Sequence, residues 1–471
     1  MMLNQAKQST PSGSYELFVP PRPKSLGPLA ALLRAAITRD SNLIGLLPKH
    51  AYTAKIGNLG YSRRSIIIIN DATAIRQILT DPTDIYPKND LMVGALAPLV
   101  GDSIFVSSGD LWRKQRAMIA PAFTHMKLSS AFQSMKQAID SYEKKINDQI
   151  ESGRRFSLDF TMSELTADII CRTVFSTPLA SQIAQDVFES FAEFERSVAH
   201  VEILKLIFSK PWSHIAQPDN VLKACERIRN HLGKLVDSHL GDGADFQDIA
   251  ADIIVATDKN TGTRFSRKEL IDQLGVFFLA GHETTASALT WAFYVLSIRE
   301  DIRERMRQEI ESITDGDEIE FKHIRALHFT TSVFKEALRL YPPITFIPRV
   351  AAETTTILGR RIKKGAMVMI APWAIHRHQD YWPNPDCFDA ARFLPEREKE
   401  IIPNAYMPFG LGPRVCVGAN FATIEATLIL ARLIRKYDFE VHHPEKVRPV
   451  ARLTTRPAEQ IFISANFRPA T

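Results

Sequence analysis

The sequence predicts a mainly α fold with small β-sheets, formed by one globular unit over residues 1–471. Helical periodicity with few prolines runs from Asp110 to about Ile298, and short β-rich segments lie on both sides of this region. The chain is longer than a single core usually supports, but no Ser/Gly/Pro-rich linker or charge block divides it. We therefore expect one domain with a helical body over residues 110–340.

The N-terminal part is expected to contribute little to this body. Residues 1–20 are expected to be flexible, and a Pro-rich segment follows at residues 20–23. The apolar stretch from Leu26 to Ile37 contains Arg34 and is too short to cross a bilayer, so no signal peptide or integral membrane anchor is expected. Packing of this stretch against the protein is favoured over contact with a membrane surface, and both alternatives stay open.

Strands are expected in two β-rich parts, residues 51–70 and 345–370. The predicted strands are Ala51 to Ile56, Ser65 to Ile69, Thr354 to Leu358 and Met367 to Ile370. Turns are predicted within each part, at Gly57 to Gly60 and at Gly359 to Gly365.

Arg267 to Arg299 is predicted to be a long helix. Its middle, Gly275 to Trp291, is apolar apart from one acid, one histidine and several hydroxyls, so we expect it to run through the core. Earlier breaks in the helical body are expected at Gly153 and near Ser209 to Pro218.

Two further helices follow. The helix from Phe329 to Leu340 is expected to end at the Tyr341-Pro342-Pro343 sequence, because proline cannot continue a helix and restricts the residue before it. Residues 405–437 are predicted to hold an irregular loop and a last helix, from about Ala419 to Tyr437.

Composition excludes several classes of protein. The net charge of +5, from 58 basic and 53 acidic residues, suits a local docking patch rather than nucleic-acid binding. The four cysteines, which are far apart and form no CxxC pair, argue against a disulfide framework and a tetrahedral zinc site. A reducing, cytoplasmic location is expected. The cysteines are Cys171, Cys225, Cys387 and Cys416.

Cys416 has the surroundings of a metal-binding thiolate. Gly410, Gly412 and Gly418 permit tight turns and the close approach of a flat ligand, and an apolar helix is predicted just after the cysteine. The N-terminus of that helix would direct N–H groups and positive partial charge at the sulfur, which favours thiolate over thiol. An arbitrary lone cysteine is more often buried and inert.

The pattern Phe409-x-x-Gly412-x-Arg414-x-Cys416-x-Gly418 resembles the haem-binding signature of the cytochrome P450 family, in its soluble bacterial-type members. The resemblance implies a single-domain cytochrome P450 fold with haem b (heme b, iron protoporphyrin IX) between the long central helix and the cysteine loop. Cys416 would be the axial ligand, Phe409 would lie near the sulfur, and Arg414 would pair with a haem propionate. Thiolate ligation favours O–O bond cleavage, so the resemblance implies a monooxygenase.

The long helix contains Ala280-Gly281-His282-Glu283-Thr284-Thr285. Gly281 weakens a helix, and Thr284 can donate a hydrogen bond to the carbonyl of Ala280, which would open room for dioxygen and water. Taken alone, the segment could equally be a kinked core helix. It resembles the oxygen-activation motif of the family, in which Glu283 and Thr284 relay protons. His282 has no counterpart in that motif and is interpreted as a packed or outward-facing histidine.

Glu336 and Arg339 lie on one helical face, where an ordinary surface ion pair would mean little. Placed before the two prolines, they resemble the structural Glu-x-x-Arg of the family. Its third member would be Arg392, in a Phe-x-x-x-Arg-Phe segment. Ala390 and Ala391 replace the proline and acid that are common there, which puts the support of the triad in doubt.

Trp112-x-x-x-Arg116 places two hydrogen-bond donors on one helical face. Alone it would be read as an ordinary edge of the core. In the family this spacing binds haem propionates, and Arg349, after Pro348, matches another arginine that does so.

The resemblance also implies a substrate and an electron source. Family substrates are contacted by variable segments, here the loop Leu91 to Val106, the helix positions Phe277, Ala280 and Thr284, and Ile344 to Ile347. Their apolar composition predicts a lipophilic small-molecule substrate, a fatty acid or terpenoid, hydroxylated with O2.

No flavin or nicotinamide fingerprint follows the cysteine segment, so two electrons are expected from a separate ferredoxin or flavodoxin with its NAD(P)H-dependent reductase. Arg432, Arg435 and Lys436 are candidate docking residues, although solvated surface charge explains them equally well. A haem-thiolate peroxygenase or isomerase would need no redox partner and would more naturally lack the Glu283–Thr284 pair. A haem sensor would need no such helix.

Overall fold

Helices make up most of the chain in the computed structural model, which describes residues 18–23, 30, 42–59, 65–88, 90–198, 217–241, 245–451 and 453–468. The mainly α fold with small sheets is therefore confirmed. The α-helices are α1 (Ala72–Leu79), α2 (Asp90–Val100), α3 (Gly109–Ile119), α4 (His125–Glu151), α5 (Leu158–Phe175), α6 (Gln182–Val198), α7 (Asp219–Leu240), α8 (Ile249–Val255), α9 (Arg267–Ile298), α10 (Glu300–Thr314), α11 (Phe321–Ile324), α12 (His328–Leu340), α13 (Pro372–Ile375), α14 (Pro395–Glu398) and α15 (Ala419–Lys436).

The strands form small sheets at the edges of the helical body. A four-stranded sheet has the order β1-β2-β7-β4, in which β2 and β7 are parallel and the other neighbours antiparallel. The remaining sheets are β3-β11-β8, β9-β10 and β5-β6. The strands are β1 (Ile56–Leu59), β2 (Ile66–Ile69), β3 (Phe156–Ser157), β4 (Ile347–Val350), β5 (Thr355–Ile357), β6 (Arg360–Ile362), β7 (Met367–Ile370), β8 (Tyr437–Val441), β9 (Pro449–Ala451), β10 (Thr455–Pro457) and β11 (Phe462–Phe467).

Helix α9 is the long central helix that the sequence predicted. It begins with a capping box in which Ser266 and Glu269 satisfy each other's backbone N–H groups. Nearly all of its side chains from Leu270 to Leu296 are buried, because α5, α7, α12 and α15 pack around it. A Cβ at Gly281 would lie 2.4 Å from Ile170 of α5, so the glycine lets these two helices approach closely.

Several predicted breaks are confirmed. Gly153 follows α4 with a φ of 61°, a conformation that favours glycine. Helix α12 ends at Leu340, just before the two prolines. Helix α7 begins after Pro218, but residues 209–216 lie outside the described part of the chain.

Three predictions for the β-rich parts are wrong in detail. The turn predicted at Gly57 to Gly60 is instead occupied by β1, whose residues from Gly57 to Leu59 pair with β2. The first predicted strand begins instead as a 3₁₀ turn, Lys49–Tyr52, because Pro48 starts a turn in which Ala51 N–H donates to its carbonyl. The turn predicted at Gly359 to Gly365 contains β6, which pairs with β5. Leu358 and Gly359, with φ of 50° and 73°, connect the two strands, and positive φ at both positions is typical of a tight hairpin turn.

The N-terminal predictions are mostly untested. Residues 1–17 lie outside the described residues, as does Leu26 to Ile37 except residue 30. Phe18, expected to be flexible, forms a backbone bridge with Phe388. In the part of the chain that the structure describes, no helix is long and apolar enough to cross a membrane.

A buried imidazole joins the end of α7 to the start of α8. His239 Nδ1 donates to the carbonyl of Leu235 at 2.9 Å, and Nε2 lies 2.9 Å from a carboxylate oxygen of Asp248. A carbonyl and a carboxylate only accept hydrogen bonds, so both contacts are satisfied when the ring is an imidazolium and both nitrogens donate. Burial lowers the pKa of His239, but the hydrogen bond and charge of Asp248 outweigh it, so the pKa is raised.

This pair makes stability depend on pH. The folded pKa of His239 lies above its unfolded value of about 6.5, so its contribution is complete below that pH and is lost as the pH rises through the folded pKa. We expect the free energy of unfolding to fall over this window, because a tenfold difference in proton affinity between the folded and unfolded states corresponds to about 1.4 kcal/mol. Urea denaturation across the window should show a smaller fall in His239→Gln. A control substitution of the exposed His328 should keep the wild-type slope, and a His239→Gln slope equal to wild type would contradict the assignment.

Candidate active site

The cysteine loop is shaped by its glycines. Cys416 N–H donates to the carbonyl of Phe409 at 2.9 Å, which closes the loop. Gly410 and Gly412 have φ of 78° and 73°, and a Cβ at Gly412 would lie 2.7 Å from a backbone oxygen of α1. Gly418 has an ordinary φ of −89°, and a Cβ there would lie 3.9 Å from the cysteine sulfur. The first two glycines are thus required by backbone geometry, whereas a side chain at Gly418 would make only ordinary van der Waals contact with the sulfur.

Cys416 is the exposed cysteine of the four, and Cys171, Cys225 and Cys387 are buried. The residue as a whole is exposed, but neighbouring protein atoms still desolvate its sulfur. Burial raises the pKa of the Cys416 thiol, while the Gly418 N–H and the positive charge of Arg116 act in the opposite direction. The expected thiolate-favouring effects are therefore present, but they do not outweigh burial. A metal ion bound to the sulfur would outweigh burial, because a thiol that coordinates a metal is deprotonated.

The donors predicted to hold propionates lie around this loop. Arg116 Nη1 donates to the carbonyl of Val415 at 2.9 Å, which joins α3 to the cysteine loop. Arg414 Nη1 donates to the carbonyl of Ser107 at 3.0 Å, and its guanidinium lies 4.4 Å from the ring centre of Trp112. The structure thus brings Trp112, Arg116 and Arg414 together, as predicted from separate motifs.

Two further basic side chains, Arg349 and Lys88, complete the cluster. Arg349 is buried, and burial together with the charge of Arg414 lowers its pKa to about 10. Burial, Arg414 and Arg349 lower the pKa of Lys88 to about 6. Lys88 Nζ lies 3.2 Å from the carbonyl of Ile104 and also contacts that of Phe105.

Lys88 was missed by sequence analysis because nothing in its own neighbourhood marks it. It reaches the cluster through a backbone bridge to Arg349, which is distant in sequence. Among the described side chains, none of Lys88, Arg349 and Arg414 forms an ion pair with an acid. Arg349 is buried, and Lys88 and Arg414 are half-buried. Cations that are removed from water without a counter-charge are unfavourable, so the cluster fits a ligand that carries two negative charges, as haem does in its propionates.

The predicted oxygen-activation segment has the expected hydrogen bond. Thr284 Oγ1 donates to the carbonyl of Ala280 at 2.6 Å, and both residues are half-buried on a helix that is otherwise almost wholly buried. Gly281 is also half-buried, and a side chain at this position would collide with Ile170 of α5. The Ala280–Thr284 face of α9, called its open face below, is thus the part of the middle of the helix that the protein does not fully bury.

Glu283 lies on another side of α9. Arg456 of β10 binds both of its carboxylate oxygens, with Nε at 2.8 Å from Oε1, and Thr454 Oγ1 donates to Oε1 at 2.5 Å. Burial alone would raise the pKa of Glu283, but the charge and hydrogen bonds of Arg456 lower it to about 2. Glu283 is therefore ionised and held. Sequence analysis could not find Arg456, which is 173 positions away.

His282 is a packed histidine, one of the two interpretations that the sequence left open. Its ring lies 5.0 to 6.1 Å from the ring centres of Phe188, Phe191 and Phe278, and Nδ1 lies 2.7 Å from the carbonyl of Phe278.

The Glu-x-x-Arg pair forms a buried network. Arg339 makes two hydrogen bonds of 2.7 Å to the two carboxylate oxygens of Glu336, and Arg392 Nε donates to Oε1 at 3.3 Å. The backbone N–H of Asp389 donates to the same oxygen at 2.9 Å, and Arg397 pairs with the Asp389 carboxylate. Asp389 and Arg397 thus supply the support that the two alanines put in doubt.

The segment predicted as a substrate loop from Leu91 to Val106 is mostly helix α2, so that prediction was wrong in its secondary structure. Contacts with α7 and α9 stabilise this helix and the turn that follows it. Arg229 of α7 donates to the carbonyl of Leu99 at 2.9 Å and pairs with the buried Asp272 of α9 at 2.6 Å. A Cβ at Gly101 would lie 2.3 Å from the Asp272 carboxylate, so the chain passes directly over this pair.

The other predicted substrate positions are more dispersed. Phe277 is buried and its ring packs against Phe123, with 5.4 Å between ring centres. Ile344 and Ile347 are half-buried, and Ile347 starts β4 opposite Ile370. The structure does not bring these three side chains together with Thr284 in any described contact.

The candidate docking residues on α15 have partners within the protein. Arg432 pairs with Asp140 and Glu143 at 2.7 and 2.9 Å, and Lys436 pairs with Glu143 at 2.9 Å. Arg435 donates to the backbone carbonyls of the turn after α10. These cations hold α4, α10 and α15 together, which makes them poor docking residues.

Comparison with known proteins agrees with this architecture. A family model described as Cytochrome P450 matches residues 49–463. The chain therefore belongs to the cytochrome P450 family. Its reaction class is monooxygenation, an oxidoreductase activity that uses O2, and the family implies a haem cofactor.

Two curated relatives come from Streptomyces melanosporofaciens. Cyclooctatin synthase is 27% identical over 441 residues, covering 93% of this chain and 92% of the relative. Cyclooctat-9-en-7-ol 5-monooxygenase is 29% identical over 433 residues, covering 89% of this chain and 90% of the relative. The human ultra-long-chain fatty acid omega-hydroxylase is 26% identical over 426 residues, covering 84% of this chain and 78% of the relative. A crystal structure of the cytochrome P450DA heme domain superposes with a TM-score of 0.78 at 23% identity, covering 96% of this chain and 98% of that chain.

Proposed function

We propose that this enzyme hydroxylates a lipophilic molecule of the terpenoid or fatty-acid class at an unactivated carbon. The main support for this substrate class comes from two relatives. Cyclooctat-9-en-7-ol 5-monooxygenase and an ultra-long-chain fatty acid omega-hydroxylase both align with most of the chain. The apolar character of α2 and of the segment around Ile344 supports the same class.

Haem b is the proposed cofactor, with Cys416 as its thiolate ligand. Arg116, Trp112, Arg349 and Arg414 would hold its propionates. Lys88 is added to this set, because a buried amine between two arginines is stabilised as a cation by a carboxylate. Phe409 would lie against the haem beside the sulfur, and Gly418 would leave the space beside the sulfur free of a side chain. Ala280 and Gly281 would border its opposite face.

Thiolate-bound haem supplies the activation of dioxygen. The protein contributes positioned protons, and we assign this role to the Thr284 hydroxyl on the open face of α9. Glu283 is assigned a positioning role, because Arg456 and Thr454 hold its carboxylate and keep it ionised. This changes the expectation from sequence, in which both residues relay protons.

Electrons are proposed to come from a separate ferredoxin or flavodoxin with its NAD(P)H-dependent reductase. Since the cations of α15 are paired internally, we place docking on the exposed side of α3 and the cysteine loop. There Leu111 and Val415 are exposed apolar residues, Arg113 forms an exposed ion pair with Asp110, and Arg116 joins these two elements.

Turnover with candidate substrates tests the function. We expect purified haem-loaded enzyme, given NADPH and ferredoxin or flavodoxin systems, to add one atom from labelled O2 to a terpenoid or a fatty acid, detected by mass spectrometry. Thr284→Ala should lower product formation by roughly 10²-fold, because a positioned proton donor is lost. Thr290→Ala is the matched control, since Thr290 makes the same bond to a carbonyl of α9 at 2.8 Å but is fully buried.

Two outcomes would overturn the proposal. Absence of binding and product with every fatty acid and terpenoid would reject the substrate class. Peroxide-supported turnover that Thr284→Ala leaves unchanged, with none from NADPH and redox partners, would identify a peroxygenase instead.

A further inference from the structure

Four oxidisable side chains in contact run from the central helix to the surface. Trp291 of α9 stacks on Tyr341, with 4.0 Å between ring centres and 7° between ring planes. The ring centre of Tyr341 lies 6.1 Å from that of Trp373 on α13. Trp373 Nε1 in turn donates to the hydroxyl of Tyr52 at 3.1 Å. These four residues are called the aromatic chain below.

Packing alone does not explain the choice of side chains. The sequence contains 27 phenylalanines but only 5 tryptophans and 10 tyrosines, and a buried indole or phenol must also find a hydrogen-bond partner. Trp291 Nε1 donates to the carbonyl of Thr455 at 2.9 Å, and the Tyr341 hydroxyl donates to that of Pro21 at 2.8 Å. Phenylalanine would fill the core without this requirement, but indole and phenol lose one electron much more readily. The aromatic chain therefore has a chemical property that packing does not need.

The inner end of the aromatic chain lies near the open face of α9. Trp291 follows Thr284 by seven residues, so the two side chains leave nearly the same side of the helix, about 10 Å apart along its axis. The proposed haem borders this face. Trp291 is therefore the member that is placed to exchange an electron with it.

The outer end lies near solvent. Tyr52 is 8% exposed and ends the 3₁₀ turn, in which Lys49 and His50 are exposed. Oxidation makes a phenol strongly acidic, and water at the surface can take the proton of Tyr52. Tyr341 lacks such an outlet, because its hydroxyl donates to a carbonyl and burial raises its pKa well above the ordinary value.

A buried cation directs the loss of an electron to Tyr52. The guanidinium of Arg377 lies 3.8 Å from the ring centre of Trp373. Its positive charge disfavours a second positive charge on the indole, so an oxidised Trp373 takes an electron from Tyr52. Loss of the phenolic proton then leaves a neutral radical at the surface.

We propose that the aromatic chain gives the enzyme a second activity, the reduction of hydrogen peroxide in single-electron steps by a small hydrogen-atom donor such as ascorbate. The inference rests on the proposed haem cofactor and not on the proposed substrate. One peroxide takes up two electrons and two protons and becomes two water molecules. Each electron leaves Tyr52 and reaches the haem through the other three members, while the phenolic proton goes to water. Ascorbate returns a hydrogen atom to Tyr52 each time and, after two such steps, has become dehydroascorbate.

Rapid-freeze electron paramagnetic resonance tests this path without a substrate. Haem-loaded enzyme mixed with hydrogen peroxide should form a tyrosyl radical, whose signal narrows when ring-deuterated tyrosine is incorporated. Tyr52→Phe and Trp373→Phe should lose the signal, since phenylalanine keeps a ring that is not oxidised. Tyr86→Phe and Trp382→Phe are controls that should keep it. Tyr86 is half-buried outside the aromatic chain, and Trp382 is a buried indole with the Arg339 guanidinium 5.1 Å from its ring centre.

Bleaching of the haem by hydrogen peroxide reports on the same path through absorbance. Ascorbate should slow bleaching several-fold in wild type and have little effect in Tyr52→Phe or Trp373→Phe. The double variant should be no worse than either single one, because both residues act in one path. The carbon-monoxide band and urea denaturation should show that each variant is folded and loaded with haem.

Absence of a tyrosyl radical in wild type, or a signal that Tyr52→Phe leaves unchanged, would overturn the inference. Protection by ascorbate that survives in Trp373→Phe would do so as well. Failure to hydroxylate any lipophilic substrate would instead reject the proposed substrate class, and the radical would still form. Absence of haem from the purified protein would reject both proposals.

Discussion

Replacing Cys416 with alanine is expected to abolish the red-shifted band of the reduced, carbon-monoxide-bound protein and to abolish hydroxylation. The other three cysteines are buried, and in the described residues no cluster of three or more His, Cys, Asp or Glu side chains could hold a metal ion in its place. Loss of the thiolate removes the ligand that supplies electron density to the iron. The expected loss of product formation is therefore complete within the limits of detection.

Cys225→Ala is the control for this experiment. Cys225 is buried on α7, away from the loop, and burial raises the pKa of its thiol to about 11, so it is not a competing ligand. This variant should keep the band and the activity. Persistence of the band in Cys416→Ala would show that the ligand has been misassigned.

Local patterns in the sequence predicted much of the fold and of the cysteine loop. The glycines at 410 and 412, the apolar stretch after Cys416 and the hydroxyl at Thr284 act over a few residues, and each occurs in the structure as expected. The hairpin of β5 and β6 was missed because Leu358 takes a positive φ, which leucine seldom does.

The remaining features depend on contacts between distant segments. Nothing near Glu283 in the sequence indicates that Arg456 will bind it, and nothing near Lys88 places it beside Arg349. The charge state of an acid depends on its final surroundings, so the ionised state of Glu283 could not be inferred before the fold was known. Sequence motifs identified where the chemistry occurs, whereas tertiary packing decides which acid holds a proton.

The basic side chains discussed above form two groups, which differ in whether the protein supplies their counter-charge. Lys88, Arg349 and Arg414 form no ion pair among the described side chains, and Asp84 acts on Arg414 only through its charge, so the cluster suits a bound anion. By contrast, Arg339 and Arg392 have their counter-charge in Glu336. The first group is arranged for a ligand, and the second stabilises the fold itself.

Glu336→Gln is accordingly expected to be among the most destabilising substitutions in the chain. Glu336 and Arg339 are both fully buried, and Arg392 is nearly so. An amide has nearly the same volume, but it removes the negative charge and directs an NH2 group at guanidinium donors. Loss of one partner from a buried ion pair costs about 3–5 kcal/mol. A typical protein is stable by only about 5–15 kcal/mol, so we expect poor folding and little haem incorporation.

The free energy of unfolding of Glu336→Gln, measured by urea denaturation, should be compared with that of Glu398→Gln. Glu398 also pairs with a cation, Lys335, at 2.6 Å, but this pair is partly exposed, with 46% of the Glu398 side chain accessible. A solvent-exposed ion pair contributes about 0–1 kcal/mol, so the control should be nearly wild type. If both substitutions were equally mild, the network would have no greater role in stability than a surface ion pair. A large loss in Glu336→Gln alone would assign it the structural role inferred from its burial and geometry.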